Sequence, residues 1–255
     1  MTKPVLIKHI KIGEGMPKIC VPLTGTAKTQ VCREAEAAKE AGADLVEWRA
    51  DFYEGLKDQD QVIAAAKELS RVLGEVPLLF TVRTEKEGGN SSMETEEYQE
   101  LLKAVAASGA VDLFDVEALE EEEEKKALIR EIQERGGKVI ASSHDFEKTD
   151  DWESLLERFS RLDKSGADIL KMAVMPRSFE DVTRLMQVTN EETQRTEKPL
   201  VAMSMGNTGS ISRIAGENFG SALTFATVGK ASAPGQFPIK ELRMMMDALH
   251  EKNKE

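Results

Sequence analysis

The fold is decided by residues 138 to 174, KVIASSHDFEKTDDWESLLERFSRLDKSGADILKMAV. The stretch opens and closes on runs rich in Val, Ile, Leu and Ala, which are typical of buried strands. Between them, Trp152–Lys164 carries apolar residues at i, i+3 and i+4 spacing on a charged background, and Gly166 follows as a helix stop. Neighbouring strands joined through a helix need a right-handed crossover, so the stretch predicts a parallel βαβ unit.

The same unit recurs along the whole chain. Apolar runs begin near residues 19, 45, 78, 111, 138, 168, 200 and 223, at intervals of 23 to 33 residues. The other helices are expected over Gln30–Ala41, Gln61–Leu73, Glu96–Ala107, Glu121–Arg135, Phe179–Thr193 and Ile239–His250. With Gly166, five of the expected helices are followed by a glycine, the other four glycines being Gly42, Gly74, Gly109 and Gly136. Eight strand–helix units in 255 residues predict one (β/α)8 TIM barrel that forms a single domain over 1–255.

An open, doubly wound sheet is the alternative architecture. Such a sheet ordinarily carries G-x-G-x-x-G after its first strand, and LTGTAKT at residues 23–29 does not supply it. Val5–Glu14 alternates apolar and polar residues, which predicts a short β-hairpin covering the barrel floor. The glutamate run Glu120–Glu124 leads into an amphipathic segment, so we interpret it as a solvated helix start rather than a linker.

Composition excludes several classes of protein. With 34 Lys and Arg against 46 Asp and Glu, the net charge of −12 argues against a nucleic-acid binder. No apolar run approaches the roughly 20 residues that span a bilayer, and the N-terminus lacks a secretory signal pattern, so we expect a cytoplasmic protein. Cys20, Cys32 and the three histidines have no zinc-site or disulfide spacing.

Polar residues near the carboxyl ends of the expected strands are the candidates for chemistry, because a TIM barrel carries its active site at that face. Lys171 has only apolar neighbours in DILKMAV, and desolvation there would favour the neutral, nucleophilic amine. The alternative is a lysine paired with a buried carboxylate such as Glu47, Asp115 or Glu117. The residues alone leave both readings open.

His144 ends the preceding strand. Taken alone it is compatible with a structural histidine, but with Lys171 on the next strand it can act as a proton shuttle for a nucleophilic lysine. Glu87 lies in the loop TEKEGG and can orient the imidazole, or it is simply a solvated loop carboxylate. Arg49, Arg83 and Arg213 each follow a strand. Each alone is compatible with a surface salt bridge, but together they suggest an anionic ligand. Met203 and Met205 are expected to share one face of their strand.

These motifs resemble, in order and over nearly the whole chain, the type I 3-dehydroquinate dehydratases of the shikimate pathway. The matching stretches are KICVPL at Lys18, EWRAD at Glu47, FTVR with EKEGG to Gly89, SHDF at Ser143, KMAVMP at Lys171, MSMGNTGSISR at Met203, FGSALTF at Phe219 and SAPGQ at Ser232. The resemblance implies a TIM barrel that dehydrates 3-dehydroquinate to 3-dehydroshikimate. It also implies a homodimer without metal or organic cofactor.

The resemblance also assigns roles to particular residues. Lys171 matches the Schiff-base lysine, His144 the general acid/base and Glu87 the carboxylate that supports it. Arg213 matches the residue that grips the substrate carboxylate. The remaining substrate-binding positions are Glu47, Arg49, Arg83, Met205, Phe225, Ser232 and Gln236. The loop SAPGQ at residues 232–236 is expected to act as a lid.

Two positions depart from the family pattern. Ser143 stands where many members have tyrosine, and Asp150 stands where proline is common. Neither departure replaces a residue matched to the chemistry. The competing functions are a class I Schiff-base aldolase with a phosphate-bearing substrate and a catalytically silent, ligand-binding or regulatory relative. A silent relative is expected to have lost the lysine or the histidine, and this chain has both.

Overall fold

The barrel strands form one parallel sheet in the computed structural model, which describes residues 2–119, 122–229 and 232–254. The strands are β3 (Lys18–Leu23), β4 (Leu45–Arg49), β5 (Leu78–Thr81), β6 (Leu113–Glu117), β7 (Lys138–Asp145), β8 (Ile169–Val174), β9 (Leu200–Ser204) and β10 (Leu223–Phe225). Their order in the sheet is β10-β3-β4-β5-β6-β7-β8-β9. A parallel bridge between Leu200 and Ser221 brings the two edges together, so the barrel is nearly closed. The predicted TIM barrel is confirmed.

Helices alternate with these strands as the periodicity predicts. They are α1 (Lys28–Glu40), α2 (Gln59–Leu73), α3 (Thr95–Ala107), α4 (Glu122–Glu134), α5 (Trp152–Lys164), α6 (Phe179–Glu192), α7 (Ile211–Ile214), α8 (Gly216–Phe219) and α9 (Ile239–Asn253). The sequence reasoning missed α7 and α8, which have four residues each and are too short for a periodic signal. Of the glutamate run, Glu120 and Glu121 lie outside the described residues, and α4 begins at Glu122.

The barrel has two apolar layers, one between the strands and the surrounding helices and one inside the barrel. The outer layer, which includes Trp48, Phe80 and Phe114, packs between the strands and the helices. The inner layer runs through Cys20, Leu45, Leu79, Leu113, Ile140, Ile169, Val201 and Leu223. Because successive side chains on a strand point to opposite faces, the next inward positions toward the carboxyl ends carry the polar residues. The alternation therefore places Glu47, Asp115, Ser142 and Lys171 above the inner apolar layer.

The amino end of the barrel is covered by the expected hairpin. Strands β1 (Val5–Ile7) and β2 (Ile10–Ile12) pair antiparallel, and Ile7, Ile10 and Ile12 belong to the inner apolar cluster. The hairpin closes the amino end and keeps these apolar side chains out of water. The carboxyl end of the barrel is the end that is left for binding.

Three aspartates lock strands together at the amino end. Asp44, Asp112 and Asp168 directly precede β4, β6 and β8, and each carboxylate accepts a backbone N–H from the preceding strand at 2.7 to 2.9 Å. Charge-assisted bonds of this kind hold the register of adjacent strands. They fix the height at which the carboxyl ends present their polar side chains.

Candidate active site

A cavity of about 190 Å³ lies at the carboxyl ends of the strands, the face predicted to carry the site. Every substrate-binding residue named from the sequence lines it, together with Lys171 and His144. Glu87 lies behind His144, in the wall between this cavity and a neighbouring one. The lining also contains residues that sequence reasoning did not assign to the site: Phe52, Gly88, Asn90, Phe146, Ala173 and Ala233.

Lys171 has a carboxylate partner. Its Nζ lies 3.1 Å from Asp115 Oδ2, 3.9 Å from Glu47 Oε1 and 4.8 Å from the centre of the Phe225 ring. The side chains of Lys171 and Asp115 are only 5% and 1% exposed. The ion pair that the sequence left as an alternative is therefore present, and Asp115 is the nearest partner. Glu117 belongs elsewhere, because it accepts hydrogen bonds from Thr84 and Arg83.

Asp115 is the centre of a buried charge network. Besides Lys171, its carboxylate contacts Arg83 Nη2 at 2.8 Å and accepts the Ser142 hydroxyl at 2.6 Å. Burial raises the pKa of Asp115, but the charges of Arg83 and Lys171 outweigh it and lower the pKa to about 2. Asp115 is thus an anion at any physiological pH, placed between two cations.

His144 and Glu87 form a second pair. Glu87 Oε2 lies 2.8 Å from His144 Nδ1 and also accepts the His144 backbone N–H at 3.1 Å. Burial, followed by the charges of Arg83 and Lys171, lowers the pKa of His144 well below its usual value. The imidazole is therefore neutral near pH 7, and its Nδ1 contact fixes the ring and leaves Nε2 for other partners.

Glu87 is held by the same loop that shapes the cavity. Burial raises the pKa of Glu87 to about 8, because the Arg83 charge only partly offsets the loss of water and Glu117 adds repulsion. The loop turns at Gly88, whose φ of +75° favours glycine. A Cβ there would lie 2.5 Å from the Phe146 ring, and that ring stacks on His144 with centroids 6.4 Å apart.

The three arginines differ in what they contact. Arg83 is held by Asp115, Glu117, Glu87 and Ser142, and Arg49 makes a two-bond contact with Asp51 at 2.8 Å. Arg213 instead donates to the Pro234 carbonyl at 3.0 Å and contacts Met203 Sδ at 3.8 Å. Its Nε has no hydrogen-bond partner among the described residues.

Burial lowers the pKa of Arg213 to about 10, which reflects a cation with little compensating charge. Of the three, Arg213 is the arginine most suited to take an anionic group of a ligand. Arg49 and Arg83 already have carboxylate partners in the protein, and the expectation that all three arginines serve an anionic ligand stays a prediction.

The loop at 232–236 lies over one side of the cavity. Ser232 N donates to Gln236 Oε1 at 3.0 Å, and Gln236 Nε2 donates to Ser232 Oγ at 3.0 Å. The Pro234 carbonyl in this loop accepts the hydrogen bond from Arg213, so this bond connects the loop to the arginine side chain. Met203, Met205 and Phe225 form the apolar wall beneath, and the two methionines share one face as predicted.

One of the missed residues carried a signal in the sequence. Phe146 lies two positions after His144, so alternation along the strand predicts that the two side chains face the same side. Asn90 lies in an irregular loop, where no periodicity exists to place it.

The structure has no helix long and apolar enough to cross a membrane within residues 2–119, 122–229 and 232–254. Over the same part of the chain, no group of three or more His, Cys, Asp or Glu side chains could hold a metal ion.

Comparison with known proteins identifies close relatives. Residues 19–253 match the family model for type I 3-dehydroquinase. A 3-dehydroquinate dehydratase from Listeria welshimeri is 46% identical over 246 residues, covering 96% of this chain and 98% of the relative.

Two solved structures are similar throughout. A 3-dehydroquinate dehydratase from Geobacillus kaustophilus superposes with a TM-score of 0.95 at 41% identity, covering 98% of this chain and 97% of that one. A type I 3-dehydroquinate dehydratase from Clostridium difficile, with covalently modified comenic acid, also has a TM-score of 0.95, at 40% identity. The match covers 98% of this chain and 99% of that structure.

Proposed function

This chain belongs to the type I 3-dehydroquinase family and is a hydro-lyase, and we propose that it dehydrates 3-dehydroquinate to 3-dehydroshikimate through an imine on Lys171. The observation that carries the proposal is the single cavity in which Lys171 and His144 meet beside Arg213. A buried lysine amine, a neutral imidazole and a cation without a carboxylate partner are what this reaction needs from a protein.

Lys171 forms the covalent bond. His144 takes a proton from the Lys171 ammonium group, Nζ attacks the C3 ketone, and His144 returns the proton to the carbinolamine hydroxyl, which leaves as water and yields a protonated imine. This imine withdraws electrons from C2 much better than the ketone does, which lowers the barrier to removing the C2 proton. The C. difficile relative contains covalently modified comenic acid, which supports a covalent mechanism for this site.

Asp115 is the counterion of the imine in this proposal. Its pKa of about 2 keeps it charged, and it lies 3.1 Å from the nitrogen that becomes the imine. A fixed anion at this place stabilises the positive charge that the reaction creates, without any reorganisation of solvent.

His144 moves the proton. As a neutral base it takes the C2 proton, the electron pair forms the C1–C2 double bond, and the imidazolium returns the proton to the C1 hydroxyl, which leaves as water. Glu87 holds the ring through Nδ1. Water then attacks the imine carbon and releases the product and the free amine of Lys171.

The other residues that line the cavity orient the substrate. Arg213 takes the carboxylate, and its bond to Pro234 connects that contact to closure of the 232–236 lid. Glu47, Arg49, Arg83, Ser232 and Gln236 surround the ring hydroxyls, while Met205 and Phe225 form the apolar wall. No metal or organic cofactor takes part in any step of this proposal.

The proposal extends to the setting of the enzyme. We infer a single domain over 1–255 that acts in the cytoplasm as a homodimer and whose partner is its small-molecule substrate rather than nucleic acid. The net charge of −12 supports the last point, and the family supports the dimer. Light scattering on a sizing column tests the dimer directly, and a monomeric mass at working concentration would remove that part.

Absorbance of the conjugated enone product tests the reaction. Protein mixed with 3-dehydroquinate should produce a steady rise in ultraviolet absorbance, which His144→Ala should reduce by about 10²- to 10⁴-fold. A folded wild-type protein that gives no rise would contradict the proposal. Turnover of sugar phosphates instead would favour the aldolase.

A further inference from the structure

The two positions that depart from the family pattern meet on one arginine. Arg158 lies on α5, which packs against the outer face of β7. Its Nη2 donates to Ser143 Oγ at 2.6 Å, and its Nη1 lies 3.2 Å from Asp150 Oδ2. The guanidinium is not a surface group, since the side chain is only 13% exposed and its buried Nε has no hydrogen-bond partner among the described residues.

These contacts hold both ends of one segment. Ser143 directly precedes His144, and Asp150 ends the loop that follows Phe146. Segment 143–150 therefore carries the proposed proton shuttle and the aromatic ring stacked on it. Both arms of a single rigid guanidinium fix the ends of this segment to the same helix.

The outer end of the segment is braced a second time. Arg184 of α6 donates to the Asp150 carbonyl at 3.1 Å, and the Thr149 hydroxyl donates to the Met175 carbonyl at 3.0 Å. Lys148 also contacts Asp150, at 2.6 Å. The inner end at Ser143 lies in β7, which pairs with β8 as far as Asp145, and Glu87 accepts the adjacent His144 N–H. Within the described part of the chain, Arg158 is the residue whose side chain bonds to the Ser143 hydroxyl. Loss of Arg158 would consequently remove the side-chain contact that positions this end next to His144.

Arg158 also contributes charge from outside the cavity. The elements packed around His144 carry the following charged groups: Arg49 (β4), Arg83 and Glu87 (after β5), Asp115 and Glu117 (β6), Asp145 (β7 itself), Asp150 (after β7), Arg158 (α5) and Lys171 (β8). After burial, the cations among them lower the pKa of His144, and Arg158 is one of the contributors. Unlike Arg49, Arg83 and Lys171, Arg158 does not line the cavity.

We propose that Arg158 is a positioning residue of the reaction, acting through His144 by fixing segment 143–150. The inference rests on the proposed role of His144 as the base. It assigns to Ser143 and Asp150 a common task as the two acceptors of one arginine. A structural role alone would affect stability and leave proton transfer unchanged.

Three variants separate the two contributions. Arg158→Gln removes the charge and weakens both contacts, Arg158→Lys keeps the charge but cannot bridge both acceptors, and Ser143→Ala removes only the inner contact. We expect kcat to fall about tenfold in Arg158→Gln, with KM within about twofold of wild type because the cavity lining is untouched. Only Arg158→Gln should shift the acidic limb of the kcat profile, toward higher pH.

Nuclear magnetic resonance reads His144 directly. The chain has three histidines, so the imidazole signals can be titrated one by one and assigned with His144→Ala. The pKa of His144 should rise in Arg158→Gln and stay at the wild-type value in Arg158→Lys and Ser143→Ala. If Arg158→Gln does not fold, a lower kcat at unchanged KM in the other two variants supports positioning, and unchanged kcat in both overturns it.

Failure of this inference is distinguishable from failure of the proposed function. Wild-type protein that forms no enone and no borohydride-trapped adduct contradicts the function itself. Wild type that does both, beside an Arg158→Gln variant with unchanged kcat, pH profile and His144 titration but a lower melting temperature, overturns only the role of Arg158.

Discussion

Lys171 Nζ lies 3.1 Å from Asp115 Oδ2, and the other oxygen of the same carboxylate lies 2.8 Å from Arg83 Nη2. One buried anion thus serves two buried cations beneath the cavity. Asp115 compensates the charge of a lysine that is buried in an apolar strand. The same carboxylate would compensate the positive charge of the imine.

Asp115→Asn should weaken both stability and catalysis. The variant leaves two cations without their shared anion, so the free energy of unfolding should drop by about 3–5 kcal/mol. We expect kcat to fall about 10²-fold because the imine loses its counterion. Urea denaturation and enone absorbance measure the two effects. Exposed Asp247→Asn on α9 is the matched control and should change neither by more than the experimental error.

The raised pKa of Glu87 predicts a pH-dependent stability. In the unfolded chain this carboxyl ionises near 4.5, whereas in the folded protein it ionises near 8. The unfolded state therefore releases its proton first, and the contribution of Glu87 to stability is lost as the pH rises from about 4.5 through 8. Thermal unfolding should show that the melting temperature of Glu87→Gln, relative to that of wild type, is higher at pH 9 than at pH 5.

Exposed Glu157→Gln on α5 serves as the control for this prediction and should follow wild type at both values. A difference in melting temperature between Glu87→Gln and wild type that is the same at pH 5 and pH 9 would contradict the raised pKa of Glu87 in the folded protein.

Gly88→Ala should displace the ring that packs on His144. Both Gly88 (φ +75°) and Gly109 (φ +65°) have left-handed backbones, so alanine should cost about 1–2 kcal/mol at either position. Only at Gly88 would the new Cβ meet the Phe146 ring, since nothing lies within 4 Å at Gly109. We expect both variants to lose stability, Gly88→Ala by more because the Phe146 ring must shift, and kcat to fall in Gly88→Ala alone. Equal kcat values in the two variants would argue against a role for the Phe146 contact.

Arg213→Met should act on substrate binding. Losing the carboxylate contact should cost about 2 kcal/mol or more, equivalent to a rise in KM of at least about 30-fold. Steady-state kinetics at pH 7 measures KM in both proteins. An unchanged KM in Arg213→Met would place the substrate carboxylate elsewhere.

The regular parts of the molecule could be predicted because periodicity reports burial. Strand runs at intervals of 23 to 33 residues, the helical faces and the hairpin at Val5–Glu14 all follow from which side chains avoid water. Helices α7 and α8 could not be predicted, because four residues do not complete a repeat.

The positions of single site residues could be predicted from the sequence, but the ion pairs and hydrogen bonds that connect them could not. Sequence reasoning placed Lys171, His144 and Arg213 at the barrel mouth, yet it could not choose between a free lysine and a paired one, nor between Glu47, Asp115 and Glu117 as its partner. That choice depends on distances between strands, which local patterns do not encode. The bridge from Arg158 to Ser143 and Asp150 depends on the packing of α5 for the same reason.

Borohydride trapping with 3-dehydroquinate tests the central claim most directly. Reduction of the enzyme–substrate mixture, followed by peptide mass spectrometry, should find a covalent adduct on the peptide that contains Lys171. The adduct should vanish in Lys171→Met. Enone formation by folded wild-type protein with no adduct at Lys171, or an adduct that persists in Lys171→Met, would contradict the imine mechanism.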